Sequence, residues 1–101
     1  MILNFRTYDL ALKFYRLCLR QPLVHPEKGQ LRRASLSVAN NLGEGWGRRT
    51  PAHLMRFFDI AFGSLRESQT IIRATQLTDK ELIATADHLG ASLYRLCQSR
   101  G

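Results

Sequence analysis

Residues 30–67 read QLRRASLSVANNLGEGWGRRTPAHLMRFFDIAFGSLRE, and two helical periodicities meet inside them. In the first half Leu31, Ala34, Ser35, Val38 and Leu42 recur three and four apart, which is one face of a helix. From the second half onward Leu54, Phe58, Ala61, Leu65, Ser68 and Ile72 alternate steps of four and three, a heptad seam. Between them lies Gly43-Glu44-Gly45-Trp46-Gly47, followed by Arg48-Arg49. Glycines after the last periodic residue admit left-handed backbone and so end a helix. Thr50 offers a side-chain oxygen to a free backbone N–H, and Pro51 suits the first helical position, where a missing N–H costs nothing. The stretch predicts a helix, a tight glycine bend and a second helix, with antiparallel arms.

Upstream, residues 7–20 predict another amphipathic helix. Leu10, Phe14 and Leu17 form its main apolar face, widened by Ala11, Cys18 and Leu19, while Lys13, Arg16 and Arg20 share a solvent face that Arg6 extends. Pro22 and Pro26 mark residues 21–26 as a connection, because proline keeps the preceding residue out of the helical region. The helix that starts near Pro26 carries a polar set beside its buried stripe: Arg33, Ser37, Asn40, Asn41 and Glu44. Buried polar groups need partners, at a cost of about 1–3 kcal/mol when unpaired. A hydrogen-bonded network of Arg33, Asn41, Glu44 and Glu67 is therefore expected.

Helix 3 is expected over residues 51–75. Besides its seam it has a second apolar set, Phe57, Ile60 and Ile71 with Phe62 flanking, which suggests a central helix or a subunit interface. Gly63 in mid-helix costs about 1 kcal/mol by propensity, for which close approach of another helix is the natural reason. Downstream, Thr78-Asp79-Lys80-Glu81 has the form of a capping box, with Thr78 capping forward and Glu81 reaching back. Leu82, Ala86, Leu89, Leu93 and Leu96 then continue in bundle spacing to an end near Ser99. No strand alternation and no internal repeat is present. The short connections predict an all-α, antiparallel up-down-up-down four-helix bundle, one domain over residues 1–101.

The chain has 101 residues, with 15 Lys and Arg against 8 Asp and Glu, a net charge of +7 and a pI near 10.3. A domain of that size buries roughly 60–65% of its unfolded surface, so assembly with further copies would help it. The charge favours an anionic partner such as nucleic acid. No apolar run approaches the ~20 residues of a membrane span, and the opening residues lack the apolar stretch of a signal peptide. A cytoplasmic protein without membrane association is expected. Cys18 and Cys97 fall in helical patterns and read as reduced, core-lining thiols.

Enzyme chemistry finds little support. His25, His53 and His88 are scattered, and none lies in a zinc-binding HExxH pattern. Di-metal bundles use Glu-x-x-His pairs, whereas here Glu44, Glu67 and Glu81 are followed at that spacing by Gly47, Thr70 and Ala84. The glycine run lacks both the lysine-Ser/Thr ending and the preceding strand of a phosphate loop. No catalytic residue, metal or cofactor is expected. The basic residues are the better lead: Lys13, Arg16, Arg20, Arg32, Arg48, Arg49, Arg56, Arg66 and Arg73 all belong to the first three helices and the bend, while helix 4 is nearly balanced. Arginine forks suit phosphate oxygens. For any single arginine a solvated or self-paired side chain is the simpler reading; as a set they form the expected nucleic-acid-binding surface. Trp46 at the bend could stack on a base, but a hydrophobic plug against the end of the bundle is the simpler reading.

The pattern Ser37-x-x-x-Asn41-x-x-Glu44-Gly45-x-Gly47-Arg48-Arg49-Thr50, with Arg56-Phe57, Gly63-Ser64-Leu65-x-Glu67 and the upstream Gln30-Leu31-Arg32-Arg33-Ala34, resembles the signature of the small four-helix bundle proteins, also called 23S rRNA intervening-sequence proteins. The resemblance covers nearly the whole chain. It implies an up-down bundle assembling as a ring-like homopentamer. Some members of that family are encoded inside bacterial 23S rRNA insertions, and a similar fold serves diversity-generating retroelements, where a basic pentamer binds RNA and a reverse transcriptase. Ala39, Gly43, His53, Ser68 and Gln69 depart from the family's usual residues.

Two functions follow as expectations. The first is a non-enzymatic homo-oligomer, pentameric by the resemblance, that binds structured RNA or DNA through phosphates. The second is a protein-interaction scaffold without nucleic-acid binding.

Overall fold

Four α-helices carry the periodicities: α1 (Phe5–Leu19), α2 (Glu27–Trp46), α3 (Pro51–Ala74) and α4 (Lys80–Gln98). The computed structural model describes residues 5–98, and the expectations for the opening segment and for the end of the last helix at Ser99 lie outside them. Among the described residues the architecture is all-α. The helix backbones form a closed cycle of neighbours among the described residues: α1 runs beside α2 and α4, and α3 beside α2 and α4, with α1 and α3, and α2 and α4, set diagonally across a shared core.

The seams are what is buried. Leu31, Ala34, Ser35, Val38 and Leu42 of α2, Phe58, Ala61, Leu65, Ser68 and Ile72 of α3, and Leu82, Ala86, Leu89 and Leu93 of α4 all face inward. Phe14 and Leu17 join them from α1. Each fully buried leucine or phenylalanine contributes about 1.5–3 kcal/mol of transfer free energy. Leu19 departs from expectation: it is 45% exposed, because it is the last residue of α1 and lies at the edge of the apolar arc. Cys18 and Cys97 are both buried and are not joined by a disulfide. Burial pushes the Cys18 thiol up to about 12, with a hydrogen bond from Ser35 opposing the shift. It is therefore a protonated core residue at neutral pH.

The glycine run behaves differently from its reading. α2 continues through Gly43 and Gly45 to Trp46, no described glycine has positive φ, and Gly47 closes the helix at φ −82°. The Gly47 N–H donates to the Glu44 carbonyl at 3.1 Å and that of Arg48 to the Gly45 carbonyl at 3.0 Å, so a right-handed final turn satisfies the helix end. What Gly45 supplies is absence of bulk: a Cβ there would stand 3.1 Å from Phe58 Cε1 and 3.2 Å from Phe57 Cβ. The left-handed residue lies elsewhere. Gln76, with φ 59°, follows α3, and its N–H reaches the Arg73 carbonyl while that of Leu77 reaches the Ile72 carbonyl, a Schellman ending with glutamine in place of the usual glycine.

Two further expectations change. Gly63 has no close neighbour among the described residues, since a Cβ there would meet none of their atoms within 4 Å outside its own helix turn. Gly63→Ala should therefore stabilise the protein by about 0.5–1 kcal/mol through helix propensity alone, raising Tm by about 2–8 °C in a thermal melt. A lower Tm would mean that something seats on this spot. The cap of α4 is Asp79, one residue later than the capping-box reading, because α4 begins at Lys80. Its Oδ1 accepts the Leu82 N–H at 3.0 Å, and its Oδ2 accepts from Gln21 Nε2 at 3.2 Å. These two hydrogen bonds, the backbone one first, hold the Asp79 carboxyl below the ordinary carboxylate range.

Candidate nucleic-acid interface

The bend between α2 and α3 is built from its caps. Thr50 Oγ1 accepts the His53 N–H at 3.2 Å, and Pro51 opens α3, so residues 47–50 turn without an unpaired helix start. Trp46 is half-buried, edge-to-face with Phe58 (centroids 5.5 Å apart, 73°) and with Tyr8 (6.3 Å, 80°). It closes the end of the core as an aromatic plug. Arg48 lies on the outside of this plug. Its Nη2 donates to Glu44 Oε1 at 2.7 Å, and its guanidinium carbon sits 4.7 Å from the centre of the Phe57 ring. Arg49 and Arg56 are exposed and have no ion-pair partner among the described residues.

The other expected phosphate ligands spread along the bundle. Lys13 Nζ stands 3.5 Å from Glu81 Oε2, with both side chains more than half exposed, a contact of small energetic value. Arg20 lies in the field of Asp79. Arg66 donates to Gln69 Oε1 at 3.2 Å and stacks its guanidinium 4.7 Å from the centre of the Phe62 ring. Arg16, Arg32 and Arg73 are exposed with no acidic partner among the described residues. Arg48 and Arg49 thus lie in the bend and Arg56 in the second turn of α3, while the remainder are distributed along α1 and its C-terminal end, α2 and the rest of α3.

The polar residues sort differently from the expected network. Asn41 Nδ2 donates to the Ser37 carbonyl at 2.8 Å and to Ser37 Oγ at 3.0 Å, and Ser37 Oγ lies 2.7 Å from Ser64 Oγ across the α2–α3 contact. Ser68, fully buried, donates to the Ser64 carbonyl at 2.9 Å. Glu44 is committed to Arg48, while the Arg33 and Glu67 side chains are exposed and make no hydrogen bond or ion pair among the described residues. Sequence reasoning singled out Ser37 for the polar set but not its partner Ser64, nor Ser68, nor the Thr7–Ser92 hydroxyl pair between α1 and α4. Their signal was a small hydroxyl residue standing on, or one step beside, an apolar seam.

Of the apolar set assigned to a subunit interface, Ile60 is 41% exposed. Phe62 and Ile71 pack against the core, and Phe57 lies half-buried under Arg48. Among the described residues no group of three or more His, Cys, Asp or Glu side chains is placed to hold a metal ion, and no helix is long and apolar enough to cross a membrane.

A search of curated proteins gives no match. Residues 5–98 match the family model described as 23S rRNA-intervening sequence protein, with all four helices inside the matched span. The chain belongs to the 23S rRNA-intervening sequence protein family.

Proposed function

We propose that the protein is a non-enzymatic, cytoplasmic homo-oligomer of up-down-up-down bundles that binds structured RNA or DNA through phosphates. The observation that carries this reading is the set of uncompensated guanidinium groups. Among the described residues two ion pairs form, and Arg16, Arg32, Arg49, Arg56 and Arg73 stand exposed without an acid partner. Such a surface gains by releasing the counterions of a polyanion.

The antiparallel course is supported by contacts at opposite ends of two helices. Thr7 near the start of α1 meets Ser92 late in α4, and Gln21 just past α1 meets Asp79 just before α4. Assembly is supported by the outer stripe of α3, where Ile60 is 41% exposed. A ring of five, as the resemblance implies, would multiply the positive field around its axis. Sedimentation of the pure protein at micromolar concentration should then give several times 11.6 kDa; a stable monomer removes the assembly.

The binding reading is tested at the bend. Arg48→Glu/Arg49→Glu should retain the helical circular dichroism of the parent, since both side chains are exposed. It should lose more than tenfold in affinity for a structured RNA in a fluorescence-anisotropy titration at moderate salt, with a shallower salt dependence. Unchanged affinity would take the bend out of the site. Absence of any salt-sensitive binding by the parent would leave the interaction scaffold as the function.

A further inference from the structure

Between α3 and α4 runs a groove of about 620 Å³, whose walls include Arg66 and Arg73 on one side and Ile83 and Asp87 on the other. A shallower hollow of about 340 Å³ shares Arg66 and Asp87 with it and extends past Gly90 to Tyr94 and Arg95. We propose that this continuous groove is the seat of an unpaired, single-stranded segment of the nucleic acid, with Arg66, Arg73 and Arg95 on its phosphates and Tyr94 stacked on a base. The proposal rests on the nucleic-acid reading above and gives it a location.

Three observations converge on this occupant. Charge comes first: three guanidinium groups face one carboxylate, Asp87, and Arg73 and Arg95 are bound to no acid among the described residues. Arg66 is held against the Phe62 ring and Gln69, so its fork is already posed on the groove wall. Arg66 and Arg73 are seven residues apart, roughly 10 Å along α3, which spaces the cations along the groove instead of stacking them at one point. The second observation is Tyr94, 55% exposed at the far end, which makes no ring contact among the described residues. A basic track with an exposed aromatic platform is the usual equipment for unpaired strands. The third is what the floor lacks. Its apolar lining, Ile72, Leu77, Ile83 and Ala86, is confined to one end, and from Asp87 to Tyr94 the α4 wall carries only Gly90 and Ala91, so an amphipathic helix would find no spaced apolar anchors along its length.

Helix 4 therefore contributes to binding although its charge is nearly balanced. The signal is a second line along it, Ile83, Asp87, Gly90 and Tyr94, one residue out of step with the buried leucines.

The test is a titration of the full-length protein with a fluorescein-labelled single-stranded RNA of about 12 nucleotides, repeated between about 50 and 200 mM salt. Arg66→Gln/Arg73→Gln should weaken binding and flatten the slope of log affinity against log salt by about 1.4, at about 0.7 per phosphate contact on a single strand. Tyr94→Ala should cost at least fivefold with the slope unchanged, and Tyr94→Phe should restore the affinity. Circular dichroism should be the same in all variants, because every substituted side chain is exposed. If the groove variants bind like the parent while Arg48→Glu/Arg49→Glu is weakened, the groove assignment is overturned and the nucleic-acid reading survives. If the parent binds no RNA, both fall. If an acidic peptide binds with the same dependence on Arg66 and Arg73 and the oligonucleotide does not, the occupant is a protein and the proposal is wrong.

Discussion

Phe14→Ala should lower the unfolding free energy by about 3–5 kcal/mol, the range for deleting a buried aromatic ring. Phe14 is fully buried and is among the largest side chains with no exposed surface. It lies on α1, which packs on both α2 and α4, so the lost ring would open a cavity bordered by three helices. Helices bridged by loops can close such a space only by shifting against each other, and each shift disturbs the neighbouring seam. The loss is a large fraction of the roughly 5–15 kcal/mol that holds a typical domain together. Urea denaturation followed by circular dichroism measures it. Val24→Ala is the control: Val24 is 74% exposed, and its loss should change stability by less than about 0.5 kcal/mol. A Phe14→Ala protein as stable as this control would show that α1 is not part of the core.

The second large effect is expected at Gly45. Gly45→Val should destabilise by about 1–3 kcal/mol, the cost of overpacking, despite the better helix propensity of valine. Its Cβ would stand 3.2 Å from Phe57 Cβ, an atom fixed to the α3 backbone, and 3.1 and 3.3 Å from the ring of Phe58. Phe58 cannot swing aside freely, because it is nearly buried and packs edge-to-face with Trp46. Relief therefore requires α2 and α3 to separate at the bend. Trp46 is the only tryptophan of the chain, so its emission should shift as the plug loosens, before the helices melt. A valine variant with parental stability and parental emission would refute the close approach. The contrast with Gly63→Ala is informative: the same residue type in two helices should respond with opposite signs, since a Cβ at Gly63 meets open space.

Those two glycines also show where sequence reasoning reaches its end. A glycine announces only that a side chain is absent. In the run from Gly43 to Gly47 the straightforward reading was a left-handed stop, yet the backbone stays right-handed and Gly45 is there for the neighbouring phenylalanines. At Gly63 the straightforward reading is close approach, and among the described residues no neighbour lies within 4 Å of a Cβ built there. Propensity cannot separate these cases, because the deciding atoms come from another helix.

The basic surface was similarly half legible. Arg48, Arg49 and Arg56 could be placed together from their positions around one bend. That Arg66 and Arg73 line one hollow with Ile83 and Asp87 of α4, and that Arg66 lines the next with Tyr94 and Arg95, depends on how two helices of different seams rotate against each other. The network around Asn41 shows the same limit. Its need for partners followed from its place beside Val38 and Leu42, but the partners are Ser37 and, through it, Ser64, not the charged residues with longer reach. Arg33 and Glu67 lie on exposed surface, where water satisfies them at no cost.

The amino-acid order by itself determined the four helices, their inward faces and the excess of positive charge. Each of these is a local or additive property: apolar spacing repeats with the turn of a helix, and charges simply sum. Only the tertiary structure decided which glycine makes room for a neighbour, which serines join across the α2–α3 contact, and which arginines share a groove with Tyr94. Those outcomes depend on distances between atoms far apart along the chain, set by the packing of all four helices at once.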